Sequence, residues 1–319
     1  EFPQTRGSWL LSRTALPLSK LMHDTTSSKT VRGVLFALGA TVIWSGNFIL
    51  ARGLNQSIEP ATLALLRWAT AFAGLLPFAC WAAWKERAAI RRSLPAMIPM
   101  AVLGVSVFNT LLYKAAQTSS ALNLSLIATS TPVFIILLAR IFLAERLTMG
   151  KILGLGTALG GVLLLTTGGD PTRLFSLEVT IGDLWMSLAA VTFAAYSILV
   201  RRFRQPLSQP VFLLTLFGVG IVFLLPWAGW EISMTGLPRI TLGAAGAILY
   251  IGLGASLAAF AMWNMAVAVI GPSLAGLIYY SLPLFSGTAA FLFLNEPMNI
   301  LHLLSGICIL GGILLATRR

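Results

Sequence analysis

From Gly33 onward the chain is a succession of apolar runs about 20 residues long, separated by short polar connections. A helix rising about 1.5 Å per residue crosses roughly 30 Å of hydrocarbon in one such run. Of the 319 residues, 57% are hydrophobic and 10% are charged, whereas a soluble chain carries roughly 25% charged residues. Too few charges are present to cover a water-facing surface. Lipid offers no hydrogen-bond partners to an open sheet edge. A β-barrel would show alternating segments of ~10 residues rather than continuous apolar runs. The expected fold class is therefore an all-α polytopic membrane protein. Ten transmembrane helices are predicted, over 33–52, 62–84, 95–114, 120–141, 150–168, 182–201, 211–230, 240–264, 272–294 and 299–317.

The short connections leave no room for a soluble catalytic domain, and no Gly-x-x-x-x-Gly-Lys-Ser/Thr run that would cradle ATP phosphates is present. The net charge of +12 does not indicate nucleic acid, because the basic residues cluster between apolar runs rather than along one helix face. Cys80 and Cys308 lie inside apolar runs and read as small apolar fillers. Residues 1–28 are polar and mixed. They are set apart as a tag remnant or disordered segment, with Met22 a candidate start; Arg13 and Pro17 break the only stretch resembling a signal peptide.

Lys and Arg set the orientation. With the N-terminus inside, the inner connections and flanks from Lys29 onward hold fourteen basic residues, including Lys85, Arg87, Arg91, Arg92 and Arg201, Arg202, Arg204. The outer ones hold four: Arg52, Lys114, Arg173 and Arg239. Both termini are predicted to be cytoplasmic.

The chain also repeats itself. Gly33 and Gly182 open spans 149 positions apart, and Arg52 with Arg201, and Pro77 with Pro226, keep that offset. Later the offset is 151, relating Pro132 to Pro283, Glu145 to Glu296 and Gly160-Gly161 to Gly311-Gly312. Five spans is an odd number, so the second copy enters the membrane from the opposite face. The expectation is two inverted five-helix repeats, 33–168 and 182–317, a plan that many secondary transporters use for alternating access around a midplane site.

These marks resemble the drug/metabolite transporter superfamily with paired EamA domains. Pro132-Val133-Phe134 runs to Leu143-Ala144-Glu145, and Pro283-Leu284-Phe285 runs to Leu294-Asn295-Glu296; Arg67-Trp68 and Gly160-Gly161-Val162 also fit. Within the superfamily the chain is most similar to bacterial aromatic amino acid and paraquat exporters. The resemblance implies a cell inner membrane location, no cofactor, and a central cavity lined by helices 1, 3, 4, 6, 8 and 9.

Polar and aromatic residues within the runs are the candidates for that cavity: Trp44 and Asn47, Phe108 and Asn109, Ser130, Trp185, Thr192 and Tyr196, Tyr279 and Tyr280. An apolar pocket with a few placed polar groups suits an amphipathic ligand. Each residue also has a structural reading, since Trp and Tyr populate interfacial belts and Asn, Ser and Thr bond between helices. Tyr113, Tyr250 and Trp263 are further cavity candidates for which a place in the interfacial belt is the alternative. Pro132 and Pro283, each placed mid-span, are candidate hinges or static kinks. Arg67 stands about 10 Å below the outer end of its span. It either has a structural role or snorkels to the surface, or it serves as a gate or carboxylate ligand. Glycines 150, 154, 156 and 160 read as a helix-packing stripe.

The expected function is export of a small amphipathic metabolite, an aromatic or hydrophobic amino acid, with a cationic-compound exporter as the alternative. No Asp, Glu or His falls mid-span, so facilitative transport is expected rather than a proton-coupled pump. A membrane enzyme is disfavoured, because His23 and His302 lie far apart and no carboxylates pair within a span. No metal site, no nucleic-acid partner and a monomer are expected; the partners are the substrate and the bilayer.

Overall fold

The computed structural model describes residues 18–54, 58–119, 124, 127–170, 172, 180–294 and 300–317. Those residues are helical or in turns, with no strand among them. The helices are α1 (Leu18–Leu54), α2 (Pro60–Lys85), α3 (Arg87–Ala115), α4 (Thr131–Leu143), α5 (Met149–Thr167) and α6 (Ile181–Arg202). They continue with α7 (Gln209–Thr235), α8 (Leu242–Ile270), α9 (Pro272–Tyr279), α10 (Leu282–Leu294) and α11 (Ile300–Thr317). Seven of these, α2, α3, α5, α6, α7, α8 and α11, are long and apolar enough to cross a membrane, and α4 is a shorter apolar helix. This is a multi-pass membrane protein.

Local chemistry sets many of the boundaries. Pro60 opens α2, where its missing N–H costs nothing. Thr180 and Asp183 form a capping box that starts α6. The Thr148 and Thr241 hydroxyls accept from Lys151 N–H and Ala244 N–H to start α5 and α8. Gly168, at φ 63°, ends α5. Gly271, at φ 81°, separates α8 from α9. Helix α1 begins at Leu18, inside the segment set apart from the sequence as disordered.

Two sequence expectations change here. Pro132 and Pro283 do not kink continuous helices. Each lies in the first turn of a new helix, α4 or α10, after a turn at 129–130 or 280–281. Ser130 and Ser281, 151 positions apart, close those turns by donating to the carbonyls of Ile127 and Ile278, at 2.6 and 2.7 Å. The glycine stripe of α5 is also different. Gly156 and Gly160 face open space, while Gly154 and Gly161 meet α11. A methyl on Gly154 would overlap the Gly312 carbonyl, and one on Gly312 would overlap the Gly154 carbonyl. Only glycine lets the two backbones come this close, and such contact is what holds helices together in lipid.

Interhelical contacts repeat when the halves are exchanged. Helix α1 packs on α8 as α6 packs on α3, and α2 packs on α8 as α7 packs on α3. The pairs α2–α7 and α5–α11 map onto themselves, and α4 packs on α6 as α10 packs on α1. Both α3 and α8 carry a π-helical stretch, Val102–Val107 and Tyr250–Ala258.

Carboxylates clamp the α2–α7 pair at both ends. Buried Glu231 of α7 accepts from the N–H groups of Ala61 and Thr62, at 3.0 and 2.8 Å, and from the Thr62 hydroxyl at 3.0 Å. These are the first free donors of α2, so the carboxylate satisfies them and meets the positive end of the helix dipole. Glu86, just after α2, accepts from Ser208 N–H at the start of α7, at 2.9 Å. At the ends of other helices, Arg201 and Arg204 donate to the Ala268 carbonyl and Arg202 donates to that of Phe142. Glu145 pairs with Lys151 at 3.3 Å, and its partner in the repeat, Glu296, lies outside the described residues.

Candidate functional site

The helices wall a narrow, partly open cavity of about 20 Å³, lined by Trp44, Arg67, Phe108, Asn109, Leu112, Phe193, Phe260 and Tyr279. These residues come from α1, α2, α3, α6, α8 and α9. Helix 2 therefore contributes a wall beyond the set that the family resemblance implies, while residues 120–123, 125 and 126 of the fourth span lie outside the described residues. The rings interlock. Trp44 meets Phe193 edge-on at 5.7 Å between centroids, Phe260 at 6.0 Å and Tyr279 at 6.0 Å. Phe108 lies 4.8 Å from Phe193. Edge contacts of this kind add to the burial energy of each ring and fix its orientation. The Trp44 indole is further held by donating to the Ala255 carbonyl, at 2.9 Å, inside the π stretch of α8.

One end of this aromatic box is cationic. Arg67 is 2% exposed, so it does not snorkel. Its Nε donates to Ser256 Oγ at 2.7 Å, and its Nη1 donates to Asn109 Oδ1 at 2.7 Å and to the Tyr113 hydroxyl at 2.8 Å. The guanidinium lies 5.3 Å from the Trp68 ring centre and 5.9 Å from that of Tyr113, within cation–π range. The two π stretches hold its acceptors. Ser256 Oγ donates to the Ile251 carbonyl at 2.9 Å, and Asn109 Nδ2 points at the carbonyls of Gly104 and Val105 at 3.4 Å. Such stretches recur at functional sites because they displace side chains from regular helical register. Gly252 lets α8 reach Arg67, since a methyl there would press on Thr70 and the Arg67 carbonyl.

Of the residues singled out by sequence, Trp44, Phe108, Asn109, Tyr279 and Arg67 come together at this cavity. Tyr196 is buried behind it, donating to Asn264 Oδ1 at 2.8 Å and stacking near Phe193. Thr192 is buried and bonds within its own helix, to the Ala189 carbonyl. Ser130 closes its turn, Trp185 is half-buried away from the wall, and Tyr280 is buried with an unpartnered hydroxyl among the described residues. The side chain of Asn47 lies outside the described residues. Tyr113 and Trp263, for which the interfacial belt is the alternative to a cavity place, are fully buried. Tyr113 serves Arg67, and the Trp263 indole donates to Ser197 Oγ at 3.1 Å.

Sequence reasoning passed over Phe193, Phe260, Leu112 and Ser256. The repeat carried a signal for the first, because Phe193 stands 149 positions after Trp44. It also passed over Asp183 and Glu231, acidic residues buried at helix ends. Both are committed to capping: Asp183 accepts from Thr180 N–H at 2.8 Å and from the Ser119 hydroxyl.

Comparison with known proteins agrees with this architecture. A solved crystal structure superposes with a TM-score of 0.72 at 19% identity, covering 89% of this chain and 96% of the other, which shows a shared fold. The uncharacterized transporter YyaM of Bacillus subtilis is 25% identical over 286 residues, covering 89% of this chain and 92% of its own length. A probable terminal-alkyne amino-acid exporter of Streptantibioticus cattleyicolor is 28% identical over 234 residues, covering 72% and 74%. The EamA-like transporter family model matches twice, over residues 31–167 and 180–318. The chain belongs to the EamA-like transporter family.

Proposed function

We propose that this protein is a secondary carrier that exports a small amphipathic metabolite, an aromatic or other hydrophobic amino acid, across the cell inner membrane. The observation that carries the reading is the cavity itself. Five aromatic residues, Trp44, Phe108, Phe193, Phe260 and Tyr279, line one space with a small polar end at Arg67 and Asn109. A flat apolar body with one polar terminus suits such walls once the halves part, since the cavity of about 20 Å³ is in this conformation closed down to little more than a water. The relative named as an amino-acid exporter supports the substrate class.

Alternating access is the mechanism. Ten spans form two inverted five-helix units, 33–168 and 182–317, that rock against each other around the cavity. The exchange of helix contacts between halves supports this plan. The turns before Pro132 and Pro283 are the hinges, because a broken helix bends there without losing ladder bonds. Both termini face the cytoplasm, where the Lys and Arg residues concentrate. Transport is facilitative. The cavity wall carries no carboxylate, and Asp183 and Glu231 have their oxygens bound to helix N-termini. The carrier works as a monomer and needs no cofactor.

Flux in proteoliposomes loaded with L-phenylalanine, L-leucine or a lipophilic cation tests the reading. Efflux of the amino acids above the protein-free rate is expected, running down their gradients with or without a pH difference. Efflux of the cation alone would replace the substrate class, and uphill amino-acid movement driven by the pH difference would replace the facilitative mechanism.

A further inference from the structure

We infer that Arg67 is the carboxylate-binding residue of the cavity, so that the carrier selects molecules bearing one carboxylate and rejects cations of the same shape. The inference deepens the amphipathic-substrate reading and rests on it.

The arithmetic of donors comes first. A guanidinium has five N–H donors and stays charged in proteins. Three donors of Arg67 are placed, on Ser256, Asn109 and Tyr113. All three acceptors are neutral oxygens. The two hydrogens on Nη2 have no partner among the described residues, and Arg67 makes no ion pair there. The residue nevertheless lines the cavity. A buried charge without a counter-ion is costly, and the cost is recovered when an anion arrives with its own charge-assisted hydrogen bonds.

A purely structural role does not account for this arrangement. The position equivalent to Arg67 in the second half, 149 residues on, is Leu216, which is fully buried in the matching helix α7. The scaffold therefore packs this crossing without a charge. Two of the acceptors, Ser256 and Asn109, are also held by the π stretches, which fixes the guanidinium before any ligand enters. That is the preorganisation a binding group needs. Tyr279 adds a second polar group to the wall, a hydroxyl with no hydrogen-bond partner among the described residues. One cation at one end matches one carboxylate. A phosphate dianion would need a second cation, and the described cavity wall holds none.

The test uses the full-length carrier with three probes that share a phenyl ring: L-phenylalanine, 3-phenylpropionate and 2-phenylethylammonium. The first two carry a carboxylate and the third is a cation. Wild-type carrier should move phenylalanine about 100-fold faster than the phenylethylammonium ion, after subtraction of protein-free leakage. Arg67→Leu should lose phenylalanine flux by a similar factor. Arg67→Lys, which keeps the charge without the planar fork, should raise the KM for phenylalanine about 10-fold at an unchanged thermal midpoint. Equal flux of phenylalanine and the cation, or wild-type phenylalanine flux in either variant, overturns the assignment. If Arg67→Leu does not fold, the lysine variant decides. If none of the probes moves, the amphipathic-substrate reading fails by itself, and binding in detergent then decides the role of Arg67. In that case 3-phenylpropionate must raise the thermal midpoint of wild type and not that of the lysine or leucine variant; no difference between them sinks the proposal.

Discussion

Arg67-Trp68 in the first half of the chain corresponds to Leu216-Phe217 in the second, at an offset of 149. The aromatic members of the two pairs pack together, with Trp68 and Phe217 rings 4.9 Å apart. The other members diverge, a cation on one side and an apolar side chain on the other. The same divergence surrounds them. Leu103-Gly104-Val105-Ser106 and Leu253-Gly254-Ala255-Ser256 align at an offset of 150, which sets Asn109 opposite Ala259 and Tyr113 opposite Trp263. One half has kept a polar cluster at a place where the other has filled with carbon. The box itself is also mostly unshared: Trp44 corresponds to Phe193, but Phe108, Phe260 and Tyr279 stand opposite Ala258, Thr110 and Ala128.

The largest expected effect comes from forcing the halves to match. Leu216→Arg would bury a second guanidinium where Ala259 and Trp263 replace Asn109 and Tyr113, leaving Ser106 as the one matching acceptor. Such an uncompensated charge costs about 4 kcal/mol, and the yield of monodisperse protein in detergent should collapse. Normal yield would mean that the second half retains hidden acceptors. Next is the α5–α11 crossing. Gly154→Leu should lower the unfolding free energy by about 3 kcal/mol through overpacking. Gly160→Leu on the open face should shift it by no more than about 0.5 kcal/mol. Thermal melts of the two variants side by side decide whether close backbone approach, rather than small residues in general, holds the pair.

The α2–α7 clamps offer a finer comparison. Buried Glu231 makes three bonds to α2 and half-buried Glu86 makes one to α7. Glu231→Gln should cost about 1.5 kcal/mol and Glu86→Gln less than about 0.5 kcal/mol, measured by the same melts. Equal costs would show that the clamps are interchangeable. The smallest effect concerns the equivalent rings. Trp44→Ala and Phe193→Ala should each raise the substrate KM by roughly 5-fold, about 1 kcal/mol of ring contact, with export rate at saturation little changed. A large effect at Trp44 alone would mean that its ring touches substrate and that Phe193 only supports it.

Much of the site was legible residue by residue. Trp44, Phe108, Asn109 and Tyr279 stood out because polar and aromatic groups inside apolar runs need a reason to be there. Tyr113 and Trp263 stayed ambiguous, because an aromatic near the end of a run also reads as interfacial. Whether its hydroxyl or indole meets lipid headgroups or a buried partner depends on a helix elsewhere in the chain. Phe193 and Phe260 carry no polar signal, so sequence alone cannot separate a cavity wall from core. Glu231 carries no local sign of its role, because its partners, Ala61 and Thr62, lie 170 and 169 positions away.

By itself the sequence determined that the chain is helical and crosses the membrane repeatedly, because twenty apolar residues in lipid have no other way to satisfy their backbones. It also determined that two related units lie end to end, through spacings that survive as matched prolines, glycines and glutamates. Tertiary structure alone decided what Arg67 does. A run of hydrophobicity cannot state whether an arginine bends toward water or turns inward. That outcome was settled by Ser256 on α8 and Asn109 and Tyr113 on α3, brought to one point by helices that cross closely at Gly252.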